Sequence, residues 1–238
     1  MFTNLTKVLL ALALSATVLQ AQDQEDKKKK YNVKTYHDLA FSLGLNNYLQ
    51  GDKFPDATGE IYSLMPVMST NMGIGSLNKT KFSRNFYLEW GGDVTFYNYR
   101  FEDPQTMITK SASGITFETD NQAEVKFLKS KLTASYINAS LIPMIRLGKS
   151  KRSPRIGAGM YGGYRIGSSS KTTHRDGDNV IRNRTRLNYY LENLHYGFKG
   201  RLGYRNFDLF ATYELSPLFT PGRGPELNVV SIGLLFTD

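Results

Sequence analysis

An all-β chain that closes into an antiparallel up-and-down transmembrane β-barrel of about eight strands, with a polar, side-chain-filled lumen, is predicted by three features of the sequence. Apolar and polar residues alternate with a period of two over most of the chain. The links between alternating segments switch regularly between long and short. An apolar run of the export type stands at the N-terminus.

The alternation starts at Tyr36. Leu39, Phe41, Leu43 and Leu45 share one face of the first segment, and Asp38, Ala40, Ser42, Gly44 and Asn46 the other. The second sets Met68, Thr70, Met72 and Ile74 against Ser69, Asn71, Gly73 and Gly75. The third sets Phe86, Leu88, Trp90, Val94 and Phe96 against Tyr87, Glu89, Gly91, Asp93 and Thr95. In the fourth, over roughly 129–147, Ile137, Ala139, Leu141 and Ile145 oppose Tyr136, Asn138 and Ser140. Pro143 belongs near the end of that strand or at a bulge, because it has no N–H to donate to a ladder. Ile156, Ala158, Met160, Tyr164 and Ile166 oppose Gly157, Gly159, Tyr161, Gly163 and Arg165 in the fifth. Tyr196, Phe198, Leu202 and Tyr204 oppose Gly197, Lys199, Arg201 and Gly203 in the sixth. The seventh opposes Phe207, Leu209, Ala211, Tyr213 and Leu215 to Asp208, Phe210, Thr212 and Glu214. The last opposes Val230, Ile232, Leu234 and Phe236 to Val229, Ser231 and Gly233.

The links at 49–62, 102–123, 168–191 and 216–226 are long, and those at 76–81, 148–155 and 205–206 are short. An up-and-down barrel with both termini on its periplasmic side sorts its connections this way, with short turns inside and long loops outside.

Alternation alone does not say which face points inward: a soluble ligand-binding barrel puts its apolar face inside, a membrane barrel outside. Strand length, loop sorting and the N-terminal run favour apolar outward. Glu89, Asp93 and Glu214 then share a narrow interior with Arg165, Lys199 and Arg201, and buried charge needs partners. The expectation is a structural salt-bridge network that plugs the lumen. Gly73, Gly91, Gly159, Gly163 and Gly197 would make room in it for large Arg and Tyr side chains.

Hydrophobic residues make up 40% of the 238-residue chain and mean hydropathy is -0.38, which excludes a bundle of transmembrane helices but not a barrel. Tyr (15) and Phe (14) favour strands and interfacial girdles. Cysteine is absent, which removes disulfides, thiolate metal sites, cysteine nucleophiles and a lipoprotein anchor. Residues 1–21 read as a cleaved signal peptide whose apolar run, Val8 to Leu19, is too short to span a bilayer. Residues 22–34 read as a disordered charged leader, and 35–238 as the outer-membrane barrel domain. The net charge of +9 suits anionic outer-membrane lipids and lipopolysaccharide phosphates; nucleic acid is not an expected partner of an exported chain.

Signals for chemistry are weak. Gly157-Ala158-Gly159-Met160-Tyr161-Gly162 fits the dinucleotide glycine pattern, but inside an alternating strand rather than before a helix. Of the three histidines, His37 lies at the periplasmic end and His174 in a polar link. His195, near the outer rim, is the one placed for catalysis, without a partner assignable from spacing. Asp176-Gly177-Asp178-Asn179 lacks the remaining ligands of a calcium loop and reads as a turn. No catalytic residue, cofactor or metal is expected.

The stretches Ile156-Gly157-Ala158-Gly159-Met160-Tyr161-Gly162-Gly163-Tyr164-Arg165-Ile166-Gly167, Tyr196-Gly197-Phe198-Lys199-Gly200-Arg201-Leu202-Gly203-Tyr204 and Leu209-Phe210-Ala211-Thr212-Tyr213-Glu214-Leu215-Ser216-Pro217-Leu218-Phe219 resemble a family of outer-membrane β-barrel proteins common in Bacteroidota, the group that includes PorT-like proteins. The resemblance implies the barrel fold and, for PorT-like members, a part in type IX secretion and gliding; it carries no catalytic residues. The chain departs from outer-membrane barrels that end in an aromatic, since Thr237 and Asp238 follow Phe236.

The expected function is that of a non-enzymatic integral outer-membrane barrel, an envelope scaffold or a secretion or binding accessory. It would act through its long extracellular loops on other envelope proteins. The alternatives are a lipid-A-modifying or proteolytic barrel enzyme using His195, and a soluble periplasmic ligand-binding barrel.

Overall fold

The structure is a computed structural model that describes residues 33–51, 53–120, 126–148, 150 and 153–238. The expected signal peptide and nearly all of the leader lie outside the described residues. Eleven strands are formed among the described residues: β1 (Lys34–Leu49), β2 (Thr70–Lys81), β3 (Phe86–Arg100), β4 (Thr106–Lys110), β5 (Ile115–Thr119), β6 (Lys126–Arg146), β7 (Arg155–Asp176), β8 (Asn179–Thr185), β9 (Leu194–Tyr204), β10 (Phe207–Pro217) and β11 (Asn228–Thr237).

Eight of them, β1, β2, β3, β6, β7, β9, β10 and β11, pair in that order, every pair antiparallel, and β11 pairs back onto β1. The sheet is therefore a closed up-and-down barrel. β4 and β5 form a separate hairpin, and β8 folds back on the outer half of β7. The seam between β1 and β11 is in regular register from Ala40↔Thr237 to Leu49↔Asn228, so it is a full ladder and not a loose contact.

The faces follow the two-residue period. Leu39, Leu43, Ile74, Ile137, Met160, Phe198 and Leu234 look out and are exposed. Asn46, Glu89, Asn138, Arg201, Asp208 and Glu214 look in and are buried. At 52% exposure in the middle of its strand, Ile232 would be an anomaly in a water-soluble protein. Near the short-turn end, Tyr204, Phe207, Phe236 and Phe41 stand opposite one another across β9, β10, β11 and β1, part of an aromatic girdle on the outer wall.

The turns at 82–85 and 205–206, and the β6 and β7 ends at Arg146 and Arg155, lie at the end where Lys34 pairs with Lys81 and the Thr237 amide donates to the Asn206 carbonyl at 3.1 Å. Arg205, at φ 54, supplies the left-handed residue that a two-residue hairpin turn requires. The described residues of the links at 50–69, 101–120, 177–193 and 218–227 come together at the other end.

Three expectations of extent need correction. Residues 76–81 are not a turn: β2 runs on to Lys81, paired with β1 and β3, and the turn is at 82–85. Residues 168–191 are not a plain loop: β7 runs on to Asp176, turns through Gly177 (φ 56) and returns as β8. The link at 102–123 contains the β4–β5 hairpin. Pro143 lies near the end of β6 with its side chain exposed on the outer wall, and the ladder to β7 skips Ile142 and Pro143.

Ring closure has a direct chemical test in this cysteine-free chain. Leu43→Cys with Leu234→Cys joins register partners across the seam and should form a disulfide under mild oxidation in the folded protein. Leu43→Cys with Leu235→Cys, whose side chains lie on opposite faces, should not. Equal cross-linking of both pairs, read by non-reducing electrophoresis, would contradict the register.

Candidate functional site

The interior is organised in three tiers. At the short-turn end the Arg201 guanidinium donates through Nη1 to Glu89 and through Nη2 to Asp208, and Arg155 Nη2 donates to the second oxygen of Asp208. Arg155 Nη1 also donates to the Arg205 carbonyl at 2.7 Å, tying the cluster to the β9–β10 turn. All four side chains are buried, two cations against two carboxylates, so the tier is neutral. Charge taken out of water is tolerated where each group meets an opposite one within hydrogen-bond reach. A methyl group added at Gly203 would collide with Asp208 and Arg155, so the backbone there must come close without a side chain.

In the middle tier Asp93 accepts from Thr95 Oγ1 at 2.5 Å and from Asn138 Nδ2 at 2.8 Å. Lys199 Nζ lies 5.2 Å from the centre of the Phe210 ring, a cation–π distance. Asp93 and Lys199 both face the residual cavity, about 50 Å³, which has room for a few water molecules.

The third tier is built on His195, 2% exposed at the start of β9. Its Nε2 lies 2.7 Å from Asn138 Oδ1 and its Nδ1 3.1 Å from Glu214 Oε1. The ring stacks on Tyr136 at 3.9 Å, with the edges of Tyr97 and Tyr161 against it. A Cβ at Gly163 would collide with Asn138 Oδ1 and lie 2.6 Å from His195 Nε2, so this glycine makes the space that the histidine fills.

Above the histidine the four long links pack together. Tyr62 and Leu64 come from the first, Ile108, Ile115 and Phe117 from the β4–β5 hairpin, Tyr189 and Leu191 from the third, and Leu218, Phe219 and Leu227 from the fourth. With Tyr48, Tyr99 and Leu132 of the strand ends they form one apolar core. Backbone bonds join the links to each other: Ile115 N to Arg223 O at 2.8 Å, Thr220 N to Tyr190 O at 2.7 Å and Glu192 N to Leu218 O at 2.9 Å. Tyr189 and Tyr190 both hold φ at 47, a conformation that costs about 1–3 kcal/mol for a non-glycine residue. Tyr189 offsets the cost by burial in the cap, and Tyr190 lies under Lys110 at 4.4 Å and Arg223 at 5.2 Å. Burial, with Glu60 the next cause, raises the Tyr62 phenol above its ordinary range.

Of the six charges expected inside, Glu89 and Arg201 are joined directly, and Glu214 meets His195. Asp93 and Lys199 share the cavity wall without a direct bond. Arg165 stands apart: it sits at a register shift near the rim, where it bonds Ser168, Asn188 and Asn193 and no carboxylate. It lies on the inward face as the alternation requires, opposite the buried Tyr136 and between the exposed Tyr164 and Ile166, but too near the rim to meet a carboxylate of the interior. Sequence reasoning left out Asp208, Arg155, Asn138 and the partners of His195. Asp208 and Asn138 lie on the inward faces of their strands, a readable signal; Arg155 falls at a strand start and reads as part of a basic turn. Among the described residues no group of three or more His, Asp or Glu side chains could hold a metal ion.

No protein-family model and no curated protein matches the chain. Among solved structures it is similar to Ail, the attachment invasion locus protein of Yersinia pestis, at 11% identity over 85% of this chain and 97% of that one, with a TM-score of 0.35. It is similar also to Ail in complex with the heparin analogue sucrose octasulfate, at 12% identity, the same coverage and a TM-score of 0.32. At these values the likeness adds nothing to the ladders that define the fold.

Asp208→Ala leaves Arg155 and Arg201 without their shared carboxylate, and an uncompensated buried charge costs about 3–5 kcal/mol. The variant should unfold at clearly lower urea in detergent micelles or vesicles, whereas Asp178→Ala, an exposed change in the β7–β8 turn, should not. Equal midpoints would contradict the stabilising role of the lower tier.

Proposed function

We propose that the chain is an integral outer-membrane β-barrel, exported by a signal peptide in residues 1–21, that serves as an envelope scaffold or as a secretion or binding accessory. The observation that carries this reading is the inversion of the barrel: exposed Leu, Ile, Phe and Met around its wall and paired charge inside. Lipid is the solvent that makes such a wall favourable, and closure leaves no unpaired strand edge within it. A soluble ligand-binding barrel needs an apolar cavity, and this interior is charged and nearly filled.

The packed cap supports an accessory role rather than transport. Side chains close the lumen and the long links close its mouth, so the surface available to partners is the outer face of the cap. The Bacteroidota-type resemblance of β7, β9 and β10 favours a PorT-like secretion accessory within this class. An enzyme working through His195 is a weaker reading, since both ring nitrogens are engaged and the side chain is buried beneath the cap.

Folded chain in an outer-membrane fraction should run as a compact band in unheated SDS gels and shift on boiling. Reconstituted in planar bilayers, it should give no steady porin-like conductance. A chain recovered in the aqueous fraction without detergent would contradict the membrane reading, and stable ohmic conductance would contradict the sealed lumen.

A further inference from the structure

The outer wall is not uniform around its circumference. On β3, β6 and β7 the outward rows run from apolar to cationic toward the cap. Val94, Ile137 and Tyr164 stand in register, followed by Phe96, Ser135 and Gly167, then by Asn98, Thr133 and Ser169. The next row is Arg100, Lys131, Lys171 and Arg184, each directly opposite the next on β3, β6, β7 and β8. Four like charges in one cross-strand row are mutually destabilising. Lys129, on the same face of β6, adds a fifth.

Nothing within the described chain neutralises this row. None of the five cations is in an ion pair with a described carboxylate. The patch is also held in place: Lys131 Nζ donates to Asn98 Oδ1 at 2.6 Å, Arg184 Nε donates to Ser169 Oγ at 3.1 Å, and Ser169 Oγ lies 2.8 Å from Thr133 Oγ1. On the opposite wall the outward residues near the cap are Asn47, Val230, Tyr213 and Leu215, with no cation among them. A generic belt of interfacial Lys and Arg would surround the barrel; this one occupies a single side.

Its height identifies the ligand. The cationic row is two outward rows beyond Phe96, the last apolar outward side chain below it on β3. At about 6.8 Å of strand per row and a tilt near 40°, it stands roughly 10 Å above the apolar belt. A row at that height faces headgroups rather than acyl chains.

Resting on the outer-membrane reading above, we infer that Arg100, Lys131, Lys171 and Arg184, with Lys129, form a binding site for the phosphate groups of a phosphorylated glycolipid of the lipid A class, seated against the barrel wall in the outer leaflet. Acyl chains would lie on Val94, Ile137 and Phe96, while the phosphates neutralise the row above them.

The test is native mass spectrometry of the full chain folded in detergent, with diphosphoryl lipid A, dephosphorylated lipid A and inositol hexakisphosphate in separate arms. Wild type should retain diphosphoryl lipid A far more tightly than the dephosphorylated form, and should not retain inositol hexakisphosphate comparably. A cation near a lipid surface strengthens attachment about fivefold, so the triple change Lys131→Gln, Lys171→Gln, Arg184→Gln should weaken retention about a hundredfold. The single change Lys131→Gln, which puts the fold at least risk, should weaken it about fivefold. Lys81→Gln with Arg84→Gln at the opposite end should change nothing. Unselective lipid retention, equal retention by the triple variant, or equal capture of the soluble polyphosphate would each overturn the lipid-phosphate site. The heat-shifted band reports the membrane reading separately: if wild type lacks it, that reading falls and this site with it, whereas a normal band with unselective binding overturns this site alone.

Discussion

The ladder between β1 and β11 is the constraint from which the other features of the molecule follow. A sheet of eight antiparallel strands with two free edges would expose rows of unpaired N–H and C=O groups, and in a hydrocarbon environment each costs several kcal/mol. Pairing Ala40 through Leu49 with Thr237 through Asn228 removes both edges at once. Closure also makes an inside and an outside from the two faces of one sheet. With lipid as the outer solvent, the apolar face needs no core, and the stability that a soluble protein draws from its centre comes from the wall. The centre is then free to be polar, provided that its charges cancel.

They cancel locally. Arg201 bridges Glu89 on β3 to Asp208 on β10, across the bore, and Arg155 on β7 completes the set. The cluster joins strands that are not neighbours in the ring, so it fixes the cross-section as well as filling it. The His195 tier does the same nearer the cap through Asn138 on β6 and Glu214 on β10. Above it the barrel changes character: the gathered links enclose an apolar centre, as a small water-soluble domain does. The molecule therefore reverses its polarity along its axis, as a body standing half in lipid and half in water would.

This reversal explains what could be read from the residues alone. Where one face meets lipid and the other a charged lumen, alternation is strong, and β1, β3, β9, β10 and β11 are visible from Leu39, Trp90, Phe198, Leu209 and Ile232 onward. The outer half of β7 is invisible by the same logic. From Ser168 to Thr173 both faces are polar, so Ser169, Ser170, Lys171 and Thr172 give no period, although they are strand. The cap is hidden for a different reason. Leu64, Ile115, Leu191 and Phe219 come from separate links, and their contacts depend on the barrel having gathered the links first. Arg155 shows the limit at strand ends, where a one-residue boundary decides whether a basic residue belongs to a turn or to the inward face. The cationic row is of the same kind: Arg100, Lys131, Lys171 and Arg184 are scattered in sequence, and register alone aligns them.

The central claim is that acyl chains cover the outward side chains while the inward ones are shielded from both lipid and bulk water. Nitroxide labels placed singly along β11 in the reconstituted protein test it most directly, because each label reports oxygen and a water-soluble nickel chelate as separate collision partners. Labels at Ile232 and Leu234 should show high oxygen and low chelate accessibility, and a label at Ser231 should show low accessibility to both. High chelate accessibility at Ile232 and Leu234 would mean that this wall faces water, and would contradict an inverted barrel standing in lipid.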